Sequence, residues 1–291
     1  MFYELENEFL KVKFRSFGGE MCSLVEKSDG TEYIWNGDES WWKFCSPILF
    51  PIVGNVKDGQ YSHEGKNYAM SGHGFSITSE FTLLKQTDNY IEFQLLYSEK
   101  TLEQYPFKFA LRLGYLLENK TVKVNWTVEN LDDKVIYFQI GAHPALRTYR
   151  NDNEKFEGYY LDFGTEKKAE TFIVDPKVYL LHEKRPDIDG KTYALDYEKF
   201  KGGVHIYDTL PFDTVTLRNK YNSKAITMKF PDFPFLGIWT PERGGAPFIC
   251  IEPWYGHADY ADYTGEFKDR EGTVKLECNR KFETSYSFII E

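Results

Sequence analysis

The sequence predicts an all-β fold, an antiparallel sandwich or barrel, on three observations. Period-two alternation of apolar and polar residues recurs from end to end, turn clusters punctuate it, and helical periodicity is scarce. The composition agrees: 21 Tyr and 24 Phe against 4 Met is a strand-rich balance, because flat rings pack well on pleated surfaces. With 42% hydrophobic and 18% aromatic residues in 291, a sizeable core is within reach.

Taken in chain order, Leu10-Lys11-Val12-Lys13-Phe14 is the first half-buried strand, and Ser28-Asp29-Gly30 marks a turn. Glu64-Gly65-Lys66-Asn67 marks another turn, followed by a strand over 77–85 and then Tyr90-Ile91-Glu92-Phe93-Gln94-Leu95. Glu99–Gln104 is a short helix candidate. A strand over 107–117 precedes the clearest one, Thr121-Val122-Lys123-Val124-Asn125-Trp126-Thr127-Val128, apolar on one face and polar on the other. Another runs over 135–140. The segment 150–205 is the least patterned, being charged and turn-rich, with a turn expected at Asp187-Ile188-Asp189-Gly190 and a second short helix at Tyr197–Phe200. It reads as an excursion on the sandwich surface. Strands over 213–218, 225–230, 247–252 and 283–290 complete the pattern. No composition shift or low-complexity run marks a boundary, so residues 1–291 are expected to form one domain. No fixed-period repeat points to a propeller or solenoid.

The formal charge of −10 argues against a nucleic-acid partner, whose phosphates it would repel. A neutral small molecule suits this surface better, though an acidic protein can still hold a phosphate locally. MFYELENEFL has neither a basic start nor an apolar run of signal-peptide type, and no stretch approaches the roughly 20 apolar residues of a membrane helix. The expectation is a cytoplasmic protein without a membrane partner. Cys22, Cys45, Cys250 and Cys278 lack paired spacing and are expected to be free, mostly buried thiols. The sequons at Asn119 and Asn125 then read as chance matches in or beside a strand.

Three residues stand out chemically. His73 lies in Ser71-Gly72-His73-Gly74-Phe75, where flanking glycines leave the ring accessible. His143 lies in Gly141-Ala142-His143-Pro144-Ala145, at a strand end that proline terminates. Each is either a site histidine or a structural turn histidine. Glu252 follows the apolar run Phe248-Ile249-Cys250-Ile251, where desolvation should raise its pKa toward that of a general base. The alternative is a glutamate paired to a basic side chain at the sheet edge. Two histidines and a glutamate also allow a metal site, yet no H-x-H, H-x-x-x-H or H-E-x-x-H spacing enforces one. G-x-S-x-G and both glycine-rich phosphate loops are missing, which disfavours a serine hydrolase and a nucleotide cofactor.

Gly72-His73-Gly74-Phe75, Gly141-Ala142-His143-Pro144 and Ile251-Glu252-Pro253-Trp254, in that order, resemble the aldose 1-epimerase (galactose mutarotase) family, and most of all its LacX-like branch. Pro51-Ile52-Val53-Gly54-Asn55, Asp58-Gly59-Gln60-Tyr61 and Phe235-Leu236-Gly237-Ile238-Trp239 fit the same branch, and the similarity spans about residues 3 to 290. The resemblance implies a large antiparallel β-sandwich (a galactose mutarotase-like supersandwich) with an open sugar cleft and no cofactor. It makes His143 the acid toward the ring oxygen, Glu252 the base toward the anomeric hydroxyl, and His73 a residue that holds the sugar. An imidazole of ordinary pKa, about 6.5, would donate readily at neutral pH.

Two departures bear on substrate choice. Relatives carry an arginine near the start of the cleft where this chain has Asn55, a substrate-binding candidate that can hydrogen-bond a sugar hydroxyl but brings no charge, with Lys57 close by. They also place an aspartate on a sugar hydroxyl, for which Asp208 and Asp213 are the candidates, either of them alternatively a solvated turn residue. Trp239 and Trp254 are candidates to stack on a sugar face, or plain core. The expected partner is a small-molecule sugar, with the chain a monomer or homodimer. Competing readings are a phosphorylated-hexose mutarotase, using Lys57, Arg147 or Arg243, and a sugar-binding or sensing protein of the same fold that does not turn over. A metal-dependent sandwich enzyme ranks last.

Overall fold

The structure, a computed structural model, describes residues 1–149 and 153–291; of the poorly patterned segment, 150–152 lie outside the described residues. Among the described residues every pairing between named strands is antiparallel. A nine-stranded sheet runs Leu180–Ala194, Tyr159–Val174, Thr214–Asn219, Ile226–Lys229, Lys281–Ile290, Thr121–Asn130, Phe109–Glu118, Tyr90–Leu96, Thr82–Gln86. A six-stranded sheet orders His205–Tyr207, Phe235–Trp239, Phe248–Tyr255, Ile140–Ala142 and Ile48–Leu49, with Ala145–Arg147 also pairing to Phe248–Tyr255. A four-stranded sheet covers Phe2–Glu6 to Thr31–Glu32.

The alternation seen in the sequence is what buries the core. Along Thr121–Asn130, Val122, Val124, Trp126 and Val128 are buried while Lys123 between them is exposed. These residues join Val12 and Phe14 of the four-stranded sheet and Ile249 and Ile251 of the six-stranded sheet in one continuous apolar cluster. Phe50 and Phe109 bridge the layers at 4.9 Å between ring centroids. Burying each such ring is worth about 1.5–3 kcal/mol.

Glu99–Gln104 is helical as expected, closed at its start by reciprocal hydrogen bonds between Ser98 and Thr101. Tyr197–Phe200 is a single 3₁₀ turn capped by Asp196. The four cysteines are free, two of them buried. Among the described residues no helix is long and apolar enough to cross a membrane.

Three expectations fail. The strand over 77–85 begins only at Thr82, because Ser76–Thr78 form a 3₁₀ turn in which the Ser76 hydroxyl donates to the Ile48 carbonyl. Asp187–Gly190 is not a turn but the interior of Leu180–Ala194, with Ile188 buried. The segment 150–205 is not a loose excursion, since it holds the two longest strands, Tyr159–Val174 and Leu180–Ala194. Their pairing shifts register at three places, between Asp162 and Lys167, Ala169 and Glu170, and Phe172 and Val174, and an odd slip changes which residues of the two strands share a face. The two-residue period that signals a strand is therefore broken within the strands themselves.

Candidate active site

Glu252 sits near the middle of the strand Phe248–Tyr255, opposite Gly237, and is 1% exposed. Two residues on, Trp254 lies across Gly141 and Gly237 on the neighbouring strands: a Cβ added at either glycine would approach the indole to 2.4 Å. Its Nε1 donates to the Ala142 carbonyl at 3.1 Å, fixing the strand end just before His143. From there His143 reaches back over the same strand, and its Nε2 lies 3.2 Å from Glu252 Oε2.

The His143 backbone is held by Pro47, whose carbonyl accepts its N–H at 3.1 Å. The loop carrying Pro47 is in turn pinned by buried Glu20, whose Oε2 accepts from the Cys45 and Ser46 amides at 2.9 and 2.8 Å. The imidazole rests against Trp42, with centroids 4.6 Å apart, and meets Trp239 edge-on at 5.5 Å. His73 completes the group, its ring 5.4 Å from that of His143. The His73 backbone adopts φ 65° and donates to the Gly54 carbonyl, while its Nδ1 accepts from the Gly54 N–H at 3.2 Å. That bond assigns the tautomer, leaving Nε2 to carry the proton. His73 is thus built as a neutral hydrogen-bond donor.

Burial dominates the electrostatics. It pushes Glu252 well above the usual carboxylate range. It drives His143 well below the usual imidazole value, with His73 adding to the effect, so the expectation of an ordinary pKa near 6.5 for His143 is not met. It lowers His73 from 6.5 to about 4. Apart from the His143 contact at Oε2, neither carboxylate oxygen of Glu252 has a partner in the protein, and Nδ1 of His143 has no hydrogen bond. Unsatisfied buried polar atoms are costly, and they lie where a ligand with hydroxyl groups would satisfy them. Cys250 brings a third donor: its sulfur, His143 and Glu252 offer ligand atoms within 4.8 Å of one another. A metal there would need thiol and carboxyl both ionised, and burial pushes both pKa values upward.

The depressed imidazole pKa has a measurable consequence. Between pH 6.5 and about 4 the unfolded chain protonates at His73 while the folded protein does not, so stability falls as the pH drops through that window and is unaffected above it. Melting temperature measured against pH should therefore decline more shallowly on the acid side for His73→Asn than for the parent. Equal slopes would show that the ring is not held neutral.

These side chains line a cavity of about 470 Å³, of a size for a small ligand. His73, His143, Glu252, Asn55, Trp239 and Trp254 all reach it, so most of the residues singled out from the sequence come together. Asp208 does not. Its carboxylate pairs with Lys184 at 2.5 Å and lines a different cavity, because the hairpin 159–194 brings the lysine to it. Asp213 also lies elsewhere, in the turn before Thr214–Asn219, where its carboxylate accepts from the Thr214 hydroxyl. Lys57, Arg147 and Arg243 are not among the lining residues either. Lys57 donates its backbone N–H to Asp259, and Arg243 lies over the Trp41 ring. Lining residues missed from sequence include Trp42, Lys43 and Val178. A Trp41-Trp42 pair in a polar loop was a legible signal for the first; nothing local marks Val178.

Comparison with known proteins bears on the family and the fold. Residues 1–274 match the family model described as aldose 1-epimerase. The chain is 32% identical over 285 residues to protein LacX of Lactococcus lactis subsp. lactis, covering 95% of each. A galactose mutarotase related enzyme from Lactobacillus acidophilus superposes with a TM-score of 0.96 at 30% identity, over 100% of this chain and 97% of that one. A galactose mutarotase-like protein from Lactobacillus casei gives 0.93 at 29% identity, over the full length of both.

Proposed function

This chain belongs to the aldose 1-epimerase family and is an isomerase of that type, and from that premise we propose that it equilibrates the α and β anomers of a free aldose in this cleft with Glu252 and His143 as its acid–base pair. The observation that carries the proposal is the buried contact between them, with no hydrogen bond from any other protein group to either carboxylate oxygen.

In the ring-opening half, Glu252 takes the proton from the anomeric hydroxyl as the bond between C1 and the ring oxygen breaks. The ring oxygen takes its proton from His143. C1 becomes an aldehyde, rotates, and the ring recloses on its other face with both proton movements reversed. The starting state needs an ionised Glu252 and a protonated His143. Burial penalises each charge alone, but at 3.2 Å each is the other's counterion. The neutral pair and the ion pair differ only in which of two touching groups holds one proton, so nothing need come from solvent. Low local polarity also strengthens both transfers.

His73 donates from Nε2 to a sugar oxygen, and Trp239 presents a face for the apolar side of the ring. Burial of the pair, rather than a cofactor, tunes the chemistry in this reading. We read residues 1–291 as one domain.

An anomer-equilibration assay by polarimetry or proton NMR across a sugar panel tests the proposal. The protein should accelerate equilibration of at least one aldose above buffer. If none responds while sugars still bind, the fold serves here as a non-catalytic sugar receptor.

A further inference from the structure

We infer that the tip of the hairpin 159–194, residues 175–179, forms the specificity wall of the cleft, with Val178 setting which sugars fit and Asn55 acting as the residue that positions it. The inference rests on the reading that a sugar occupies the cleft.

Val178 lines the cavity from a backbone at φ 62°. The left-handed region is unfavourable for any residue with a Cβ, and most of all for a β-branched one. A hairpin tip would ordinarily place Gly or Asn there. The surroundings hold the strained residue in place. The Asp175 carboxylate accepts from the Lys177 and Tyr179 amides at 2.8 and 2.9 Å, and the Asp175 carbonyl accepts from the Val178 N–H at 2.9 Å. Beyond the tip, the Leu180 N–H donates to the Asp259 carbonyl, which joins the hairpin to the segment whose Ala258 lines the cavity. A strained conformation over-determined by its neighbours at a ligand cleft is a mark of function.

Asn55 explains how the tip stays against the cleft. Its Nδ2 donates to the Lys177 carbonyl at 3.0 Å. Its Oδ1 is backed by Gly72, where a Cβ would come within 2.3 Å. The side chain read from sequence as a sugar ligand is thus engaged with the residue before Val178. The same hairpin supports the rest of this wall: Thr171 Oγ1 accepts from the Ile206 N–H at 2.8 Å, and Ile206 and Val204 line the cavity with Val178. The wall is apolar, so it selects by shape, and one methylene of fit in such a pocket is worth about tenfold or more in discrimination.

The test compares Val178→Gly, Val178→Asn and Asn55→Asp with the parent on a monosaccharide panel and on reducing disaccharides. It reads kcat and KM, together with Kd from quenching of the cleft tryptophans. The Kd arm reports on the wall even if no sugar turns over, which keeps failure of the catalytic reading separate. Val178→Gly suits the backbone but removes the wall. The preferred monosaccharide should lose about tenfold in KM and Kd with kcat within about threefold, and the ratio of disaccharide to monosaccharide binding should rise by at least about tenfold. Val178→Asn keeps side-chain bulk in a residue that tolerates this backbone but places an amide in the apolar wall, so its sugar ranking should fall between those of the parent and Val178→Gly. Asn55→Asp keeps the side-chain shape but replaces the donor to Lys177 with a charged acceptor that the Lys177 carbonyl repels, so it should move KM as Val178→Gly does. Unchanged affinities and ranking in both Val178→Gly and Asn55→Asp would overturn the inference. So would a kcat loss larger than the KM change, which would place these residues in the chemistry.

Discussion

Glu252→Gln is expected to lower kcat by about 10³-fold while leaving the fold intact, since a positioned proton transfer contributes on the order of 10²–10⁴. Gln keeps the shape and one oxygen but cannot take the anomeric proton. His143→Asn should lose a similar factor, and the double variant should lose little more than either alone, because two groups sharing one proton act as a unit. Stability should move the other way. A carboxyl whose folded pKa is raised costs stability progressively as pH climbs above its ordinary 4.5, because the buried form resists ionising. Gln carries no such cost, so the variant should melt at or above the parent temperature at pH 7 to 8. Single-turnover anomer exchange and thermal melts on the same samples check both halves. Turnover within tenfold of the parent would remove Glu252 from the base role.

Gly74→Ala should be the most damaging single methyl in the molecule's site. Gly74 has φ 75°, and a Cβ there would come 2.2 Å from the Phe50 carbonyl oxygen and 2.5 Å from its carbon. Those are backbone atoms that cannot swing aside, and the same carbonyl accepts from the Phe75 and Ser76 amides. The left-handed backbone adds about 1–2 kcal/mol. A total near 3 kcal/mol, or a melting temperature lower by about 6–12 °C, is expected, with binding weakened because His73 is the adjacent residue. Gly30→Ala is the control. It has φ 78° and nothing within 4 Å of the added Cβ, so it should show the backbone cost alone. Equal effects in the two variants would mean the Phe50 contact carries no weight.

Much of the fold was legible because burial on one sheet face imposes a period of two, as along Thr121–Asn130 and Tyr90–Leu96. Legibility failed where that period broke. The strands Tyr159–Val174 and Leu180–Ala194 slip register three times and carry charges on their exposed stretches, so neither looked like a strand. The site divides in the same way. His73, His143 and Glu252 were visible as residue types in special settings: a ring between glycines, a ring before proline, a carboxylate ending an apolar run. Asp208 was misplaced because its partner, Lys184, comes from the hairpin the sequence concealed.

By itself, then, the sequence determined the strand-rich class, the chemically capable residues and the resemblance that names the family. Only the tertiary structure decided what those residues are. Packing brought His143 to 3.2 Å from Glu252 and buried both. That moved the carboxyl pKa upward and the imidazole pKa below the value expected of it, because desolvation is a property of surroundings rather than of residue type. Folding also carried Val178 to the cleft and turned Asn55 toward the Lys177 carbonyl. Neither role has a local signature, since each exists only where distant segments of the chain meet.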